Sequence, residues 1–291
     1  MSYNIYPYFK ISEIKRFMQE NEGNPRKKWG QNFLIDPNIL ELIMGLLPKE
    51  ELNSIEIVSE FGSGLGALTH YLESLNKECY LFEIDPILVK NLQRVYQDSH
   101  KIKIIEGDVL KNIEFISEKS VYILGNLPYY ITSPIITKTL KEIKYLKGAI
   151  FMVQKEFAYR LCNEISSFSV FANYFGEFHL KKNVSRKCFF PSPSTESSII
   201  QYFPNRGKKI EKNRIDIMEI ILKSIFWGKR KSIFKSVREA PFWNESEIKF
   251  KFPDLQKKVL LSMEKCGLNP SYRPEELSKK DYYCLIDLID L

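Results

Sequence analysis

The segment GNLPYYIT, residues 125–132, combines side chains that could act on a planar ring. Asn126 offers an amide oxygen, Pro128 fixes the direction of the backbone, and Tyr129 presents an aromatic face. The preceding residues VYILGN predict a strand, so these groups would stand at its carboxyl end. Asn and Pro also end strands as ordinary turn residues, so the segment alone does not separate a turn from a functional site.

A glycine-rich turn, EFGSGLGALT at residues 60–69, lies between a predicted strand and a predicted helix. Gly62 and Gly64 would let a ligand approach the backbone N–H groups at the start of that helix. Glu83 ends the next predicted strand about twenty residues further on, where a carboxylate can accept hydrogen bonds from ribose hydroxyls. The alternative interpretations are a plain strand-to-helix turn and an exposed acid.

Asp108 ends the third predicted strand, where its carboxylate could accept a hydrogen bond from the exocyclic amine of an adenine. Ile84 and Val109 could sandwich the adenine ring. The chain has no phosphate-binding lysine motif, and its turn reads G-x-G-x-G where dinucleotide-binding folds prefer G-x-G-x-x-G. A nucleoside without phosphates fits better, and the predicted cofactor is S-adenosyl-L-methionine.

A methyl donor gives residues 126–129 a chemical task, which is methyl transfer to an exocyclic amine of a base. The lone pair of that nitrogen is delocalised into the ring, so it is a poor nucleophile. If the Asn126 oxygen and a backbone carbonyl near residues 127–128 accept both amine protons, the lone pair turns toward the methyl group. Tyr129 would stack on the base, with Pro128 directing both groups into one pocket. The target base is expected to be unpaired or flipped out of its helix.

Strand-like and helix-like blocks alternate from about residue 54, a pattern typical of a mainly parallel sheet with helices on both faces. We therefore predict an α/β Rossmann-like methyltransferase domain over residues 1–205, including an N-terminal arm that binds cofactor and RNA. Its ligands would bind at the carboxyl ends of the strands. Beyond residue 205 only helical periodicity remains, which predicts a small all-helical, RNA-binding domain over residues 206–291.

The chain of 291 residues carries 43 Lys and Arg against 36 Asp and Glu, a net charge of +7. The basic residues cluster, with aromatic residues between them, at residues 26–28, 181–187, 206–214 and 229–238. Solvated helix faces also produce such clusters. Four of them interleaved with Trp, Phe and Tyr favour a polyanionic partner that is both neutralised and stacked upon.

Several protein classes are excluded by composition. The five cysteines are odd in number and show no C-x-x-C spacing, which argues against a disulfide framework and a zinc site. Three isolated histidines make no metal site, and no run of eighteen apolar residues predicts a membrane span. The N-terminal residues lack the pattern of a signal peptide, so we expect a cytoplasmic protein. We also expect a monomer.

Together these motifs resemble one family over nearly the whole chain, the small-subunit ribosomal RNA adenine dimethyltransferases of the KsgA type. The resemblance rests on short motifs, of which GQNFL together with NLPY is the most specific. They read, in chain order, KKWGQNFLID, EFGSGLGALT, FEIDP, EGDVL, GNLPYYITSPII, QKEFAYRL, FFPSPSTESSII, KRKSIFKSV and CGLNPSYRPEELSKKDYYCL.

The resemblance implies that Asn32 and Leu34 contact the cofactor, together with Gly62, Glu83, Asp108 and Asn126. It also implies that Phe189, in an F-x-P-x-P motif, helps to clamp the target base. The implied reaction places two methyl groups on N6 of each of two adjacent adenosines. These lie in a hairpin near the 3′ end of 16S rRNA, which is modified while the small ribosomal subunit matures.

The sequence departs from the family pattern at a few positions. Phe61 and Ser63 replace a usual isoleucine and proline in the first glycine motif, and neither change removes a ligand. The other departures concern expected RNA contacts and are Ser166, Ser167, Ser194 and Glu196.

Two other functions are compatible with parts of the pattern. The resistance methyltransferases that modify an adenine of large-subunit (23S) rRNA share the NLPY site, but the match to the C-terminal motifs argues against them. A non-catalytic assembly or transcription factor could use the same fold. The intact residues Glu83, Asn126 and Tyr129 argue against a loss of catalysis.

Overall fold

The structure, a computed structural model, describes residues 6–21, 30–205, 210–228 and 230–289. The chain divides into two compact units. The first comprises Met1–Ala158 and Phe178–Pro204, and the second comprises Tyr159–Glu177 and Asn205–Leu291.

The strands of the described residues belong to a large sheet and a short ribbon. They are β1 (Phe33–Leu34), β2 (Ile57–Phe61), β3 (Glu78–Glu83), β4 (Ile102–Glu106), β5 (Ser120–Asn126), β6 (Tyr145–Gln154), β7 (Gly176–Val184), β8 (Phe189–Phe190) and β9 (Ser197–Pro204). The large sheet has seven strands in the order β4-β3-β2-β5-β6-β9-β7, and β1 pairs with β8 to form the ribbon.

The helices of the first unit alternate with these strands. They are α1 (Ile11–Glu20), α2 (Pro37–Gly45), α3 (Ala67–Leu72), α4 (Pro86–Val95), α5 (Val109–Asn112) and α6 (Thr132–Glu142), while α7 (Lys155–Asn163) begins in this unit and ends in the second. Helix α4 starts as its sequence predicts, because Pro86 occupies the first turn and the Asp85 carboxylate accepts from the Ile87 N–H.

The register of the parallel strands brings the candidate residues to one edge of the sheet. Phe61, the last residue of β2, pairs with Phe82 on β3 and with Gly125 on β5. Glu83 pairs with Glu106 at the end of β4. The motifs that follow these strands therefore meet at their carboxyl ends, as the sequence analysis predicts.

The predicted α/β methyltransferase fold with a mainly parallel sheet is confirmed, with one addition. Strand β9 runs antiparallel to β6, so the sheet is mixed on that side. The inner strands are buried along their length; every residue of β2, for example, is buried. Because β2 is covered on both faces, its residues do not alternate strictly between apolar and polar, and the polar residues Ser59 and Glu60 are buried as well.

The second unit is helical. Besides the end of α7 it contains α8 (Ser167–Phe175), α9 (Lys212–Phe226), α10 (Ile233–Glu239), α11 (Ser246–Lys251), α12 (Leu255–Lys265) and α13 (Lys279–Asp287). The chain leaves α12 through Gly267, whose positive φ of 65° suits the end of a helix.

Residues 159–177 group with the C-terminal helices. A single domain boundary after residue 205 does not include this segment in the helical unit. The physical reason is long-range packing. The Tyr174 hydroxyl on α8 donates to the Asp287 carboxylate on α13, and its ring lies 5.4 Å from that of Tyr283. The division into a catalytic and an RNA-binding domain stays a prediction.

None of the helices in the described part of the chain is long and apolar enough to cross a membrane.

Candidate active site

One cavity opens at the carboxyl ends of β2, β3 and β5, and the predicted cofactor residues line it together. They are Asn32, Leu34, Gly62, Gly64, Glu83, Ile84, Asp108, Val109 and Asn126. Pro128 and Tyr129 line the same cavity. Residues separated by almost a hundred positions in the sequence thus share one site.

Glu83 is held by backbone N–H groups. Its Oε1 accepts hydrogen bonds from Ile84 and Asp85, each at 2.9 Å, and its Oε2 accepts from Gly64 at 2.7 Å. Burial raises the pKa of the Glu83 carboxyl, while these three hydrogen bonds favour the charged form and oppose the rise. Since Oε2 accepts only one of them, it keeps a lone pair for a ribose hydroxyl.

The glycine turn has backbone angles that side chains rarely adopt. Gly62 and Gly64 have φ values of 73° and 59°. A Cβ at Gly64 would lie 3.4 Å from the Phe33 ring, and one at Gly62 would lie 3.6 Å from the Asn126 carbonyl oxygen. The turn therefore needs glycine for its conformation, and it leaves room for a ligand beside Glu83.

Asp108 has one oxygen engaged and one available. Its Oδ1 accepts from the Leu110 N–H at 2.9 Å and caps α5, whereas Oδ2 has no hydrogen-bond partner among the described residues. Ile84 is 38% exposed although it is a large apolar residue, and Val109 is buried beside it in the cavity wall. An apolar slot with an acceptor at its edge suits an adenine ring and its amine.

The Asn126 amide has a fixed orientation. Its Nδ2 donates to the backbone carbonyl of Asn32 at 2.9 Å, which leaves Oδ1 to accept from a ligand. Asn32 in turn donates through its own side chain to the Gly30 carbonyl at 3.0 Å. The motif before β1 therefore positions the amide that follows β5.

A second acceptor beside Asn126 is identified by elimination. The Pro128 carbonyl already accepts from the Ile131 N–H at 3.2 Å and from the Thr132 hydroxyl at 3.1 Å. The Leu127 N–H donates to Met152, which fixes this peptide against β6. The Leu127 carbonyl is thus the better candidate for the second acceptor that the sequence analysis places near residues 127–128.

Tyr129 is anchored by a residue that the sequence analysis did not single out. Its hydroxyl shares a 2.6 Å hydrogen bond with Ser197 at the start of β9. Burial raises the pKa of Tyr129, and the bond to Ser197 works in the opposite direction. The phenol is therefore neutral near pH 7, and its ring is held as a wall of the cavity. The sequence feature from which Ser197 could have been identified is its place in the PSTESS motif.

Phe189 is the predicted site residue that the structure does not bring to the cavity. Its side chain is 3% exposed and packs in the core with Leu40 and Ile199. On β8 it pairs with Leu34 of β1, so its ring supports the strand that carries Leu34. A clamp on the base by Phe189 stays a prediction that this placement does not support.

Glu60 is a buried acid that the sequence analysis left unassigned, although it is the first residue of the glycine-rich turn. It lines the cavity and accepts a 2.5 Å hydrogen bond from the Thr69 hydroxyl. Burial raises the pKa of Glu60 to about 8, and the nearby Glu83 carboxylate adds to the rise. The cavity floor therefore holds a carboxyl that is largely protonated at neutral pH.

The basic clusters are described in part, because residues 26–28, 206–209 and 229 lie outside the described residues. In the first unit, Lys181 on β7 lies 5.1 Å from the centre of the Phe203 ring, which is 42% exposed. In the second unit, Lys231 lies 4.1 Å from the Trp227 ring, also 42% exposed. Each unit thus presents a cation beside an exposed aromatic face.

Two residues that depart from the family pattern, Glu196 and Ser166, form local contacts that stabilise the fold. Glu196 forms an ion pair with Lys155 at 2.6 Å. Ser166 caps α8, since its hydroxyl accepts from the Ser169 N–H at 3.1 Å. Among the residues that the structure describes, no group of three or more His, Cys, Asp or Glu side chains is placed to hold a metal ion.

The fold and the site define a class of protein. A Rossmann-like sheet with an acid suited to ribose after β3 and an amine acceptor followed by Pro–Tyr after β5 is the arrangement of a nucleic-acid amine methyltransferase. The family model described as "Ribosomal RNA adenine dimethylase" matches residues 23–264, and the chain belongs to this family. The predicted enzyme class, an rRNA adenine dimethyltransferase, is confirmed.

Individual relatives agree with this assignment. The ribosomal RNA small subunit methyltransferase A of Clostridium botulinum is 30% identical over 284 residues, covering 94% of this chain and 98% of that protein. A dimethyladenosine transferase from Plasmodium falciparum is 25% identical with a TM-score of 0.70, covering 86% of this chain and 94% of that one.

The 23S rRNA methyltransferase ErmE is similar to this chain in fold. It is 22% identical with a TM-score of 0.63, covering 89% of this chain and 100% of that one. This likeness shows the shared architecture and does not distinguish the two kinds of rRNA substrate.

Proposed function

We propose that the protein uses S-adenosyl-L-methionine to dimethylate N6 of two adjacent adenosines in a hairpin near the 3′ end of 16S rRNA. The substrate is the immature small ribosomal subunit in the cytoplasm, and the enzyme acts as a monomer. The observation that carries the proposal is the Asn126 amide, whose Nδ2 is bound to Asn32 so that Oδ1 faces the cavity as an acceptor.

The cavity fits this cofactor residue by residue. Glu83 Oε2 accepts from a ribose hydroxyl, Asp108 Oδ2 accepts from the adenine amine, and Ile84 with Val109 holds the ring. Bound S-adenosyl-L-methionine supplies a methyl group on a positively charged sulfur. Because this electrophile is already activated, the chain's own groups have to orient the acceptor amine more than to withdraw a proton from it.

Asn126 Oδ1 and the Leu127 carbonyl accept the two N–H groups of the target amine. Holding both N–H groups reduces the conjugation of the nitrogen with the ring and directs its lone pair toward the methyl group, and the nitrogen releases a proton to solvent after each transfer. Tyr129 stacks on the base, worth roughly 1–3 kcal/mol on the scale for single-stranded nucleic acids. Its hydroxyl bond to Ser197 keeps the ring in place. A base in a helix cannot enter this cavity, so the target is unpaired or flipped out.

The basic surfaces provide the grip on RNA outside the cavity. Lys181 beside Phe203 combines a cation with an exposed ring, which suits a phosphate next to an unstacked base. Lys231 lies beside the exposed Trp227 ring in the same way, and its ammonium also forms an ion pair with Glu239 at 2.5 Å, which a phosphate would have to replace. Contacts to phosphate predict an affinity that falls steeply as salt rises. Shape counts for more than sequence in such contacts, which favours a partly assembled subunit over a short hairpin.

Mapping dimethyladenosine in rRNA from cells with and without this protein tests the proposal. We expect two adjacent N6,N6-dimethyladenosines near the 3′ end of 16S rRNA to disappear when the protein is absent. Complementation with the wild-type chain should restore them, whereas Asn126→Ala should not. Loss of a modification from 23S rRNA instead would favour the resistance methyltransferase. If no modification were lost, the non-catalytic assembly factor would be favoured.

A further inference from the structure

Tyr6 lines the candidate cofactor cavity although it precedes residues 23–264, the part of the chain that the family model matches. It is 7% exposed. The neighbouring cavity wall includes Glu60 at the end of β2 and the glycine turn that follows. An N-terminal residue thus contributes to a site that is otherwise built at the strand ends.

The position of Tyr6 is fixed by aromatic packing. Its ring centre lies 4.9 Å from that of Phe9 and 5.7 Å from that of His70, on which it stacks. The Tyr8 hydroxyl donates to the Asn91 side chain on α4 at 3.2 Å, which ties the same segment to the first unit.

Helix α1 packs against the cavity wall and thereby fixes the segment that contains Tyr6 and Tyr8. Its buried residues Ile14, Phe17 and Met18 pack in one cluster with Phe33, Leu65 and Leu88. The last three of these residues line the cavity themselves. Tyr6 is therefore docked as part of the wall and is not a loose terminal residue.

The hydroxyl of Tyr6 donates no hydrogen bond to any of the described residues. Burial raises the pKa of this phenol, and nearby Glu60 adds to the rise, so the group is a neutral donor. Tyr6 lines the cavity, so a polar ligand group beside this hydroxyl can accept the hydrogen bond that no described residue takes.

The sheet order shows which part of the cofactor reaches Tyr6. The ribose acceptor Glu83 follows β3 and the methyl acceptor Asn126 follows β5, and β2 lies between these strands. The sulfur must therefore lie over the end of β2, on the side of the cavity that Glu60 and Tyr6 line close to each other. We propose that the Tyr6 hydroxyl hydrogen-bonds the aminoacyl end of S-adenosyl-L-methionine. This proposal rests on the proposed cofactor.

Two ligands separate this contact from a purely structural role. S-adenosylhomocysteine carries the aminoacyl group, whereas 5′-methylthioadenosine has the same adenosine and thioether without it. By calorimetric titration, Tyr6→Phe should weaken binding of S-adenosylhomocysteine about 5- to 10-fold, the effect of one hydrogen bond. Its binding of 5′-methylthioadenosine should stay at the wild-type value.

Tyr80→Phe is the matched control. Tyr80 is equally buried at 7% exposure, its hydroxyl accepts from Lys103, and it does not line the cavity. This variant should bind both ligands as the wild type does. Hydrogen exchange should also slow at residues 6–9 when S-adenosylhomocysteine binds, and less so with 5′-methylthioadenosine.

Unchanged affinity of Tyr6→Phe for S-adenosylhomocysteine would overturn the proposal, and so would an equal loss for both ligands. Either result leaves the proposed cofactor standing, because the wild type still binds it. If the wild type binds neither ligand, the proposed cofactor fails and the Tyr6 contact fails with it.

Discussion

The ends of β3 and β5 open into the same cavity, but their polar side chains are held in different ways. The Glu83 carboxylate accepts from backbone N–H groups of its own turn and of the adjacent glycine turn. The Asn126 amide depends on the carbonyl of Asn32, a residue 94 positions earlier in the chain. The cofactor end is thus built largely by local turns, whereas the amine acceptor needs a distant segment to be in place.

This difference indicates separate contributions to the reaction. In the proposed reaction, Glu83 binds the cofactor equally well before and during methyl transfer. Asn126, as proposed, acts on the acceptor amine, whose lone pair has to be aligned only as the new bond forms. Groups of the first kind should govern affinity, and groups of the second kind should govern turnover.

Replacing Asn126 with alanine should produce the largest effect. Without the oriented Oδ1 the amine is not aligned, and we expect kcat to fall on the order of 10²–10³-fold, as when one preorganised hydrogen-bonding group is removed from an active site. Single-turnover methylation measures the rate, and titration with S-adenosylhomocysteine should show nearly unchanged affinity. Asn163→Ala is the control, since that amide also donates to a backbone carbonyl but lies outside the cavity. A near-normal rate in Asn126→Ala would refute the proposed division of roles.

Replacing Glu83 with alanine should change affinity more than turnover. Losing a charged acceptor weakens binding by roughly 1.5–3 kcal/mol, which is about 10- to 100-fold in the Kd of the cofactor. At saturating cofactor the rate should recover. Glu106→Ala is a close control, because Glu106 pairs with Glu83 across the strands, is exposed, and does not line the cavity. If Glu83→Ala and Glu106→Ala lost the same cofactor affinity, the binding role proposed for Glu83 would be contradicted.

Tyr129 should show an intermediate effect that depends on its ring. Tyr129→Ala loses the stacking surface, and kcat/KM for the RNA should fall by about 10-fold or more on the scale of one stacked base. Tyr129→Phe keeps the ring and loses only the bond to Ser197, so its loss should be smaller and should match that of Ser197→Ala. If Tyr129→Phe were as impaired as Tyr129→Ala, the hydroxyl and not the ring would be the essential group.

Glu60 should have the smallest effect on turnover, and its contribution is seen in the pH dependence of stability. Burial raises the pKa of Glu60 from 4.5 to about 8, so the folded state holds the proton more tightly than the unfolded state does. The contribution of this pKa difference to the free energy of unfolding is fully present below about pH 4.5 and is lost as the pH rises toward 8. Urea unfolding across this range should show a steeper fall for the wild type than for Glu60→Gln, by at most about 1.4 kcal/mol per pH unit. Parallel curves for the two proteins would contradict the assigned pKa of Glu60.

Much of the site could be predicted because each motif directly follows a strand. The run ECYLFE predicts a buried strand, and in a parallel sheet the residue at its end must face the ligand edge. That Glu83, Asp108 and Asn126 meet at one cavity could be predicted in this way. The glycines at positions 62 and 64 were found because the conformation of the turn requires them.

The rest depends on contacts between distant parts of the chain. Ser197 reaches Tyr129 only because β9 joins the sheet antiparallel to β6. The ring of Phe189 lies in the core because β8 pairs with β1, and no local sequence pattern predicts that pairing. Helix α8 belongs with the C-terminal helices through Tyr174 and Asp287, which are 113 positions apart. Propensity and spacing carry no information about such partners.

The most direct test of the central claim offers two RNA substrates to the enzyme in parallel. Labelled S-adenosyl-L-methionine is supplied with undermethylated small ribosomal subunits and with protein-free 23S rRNA, using wild type and Asn126→Ala. We predict that N6,N6-dimethyladenosine forms in the 16S rRNA of the subunits, and that Asn126→Ala forms almost none. Label that appears as dimethyladenosine only in the 23S rRNA would contradict the proposed substrate.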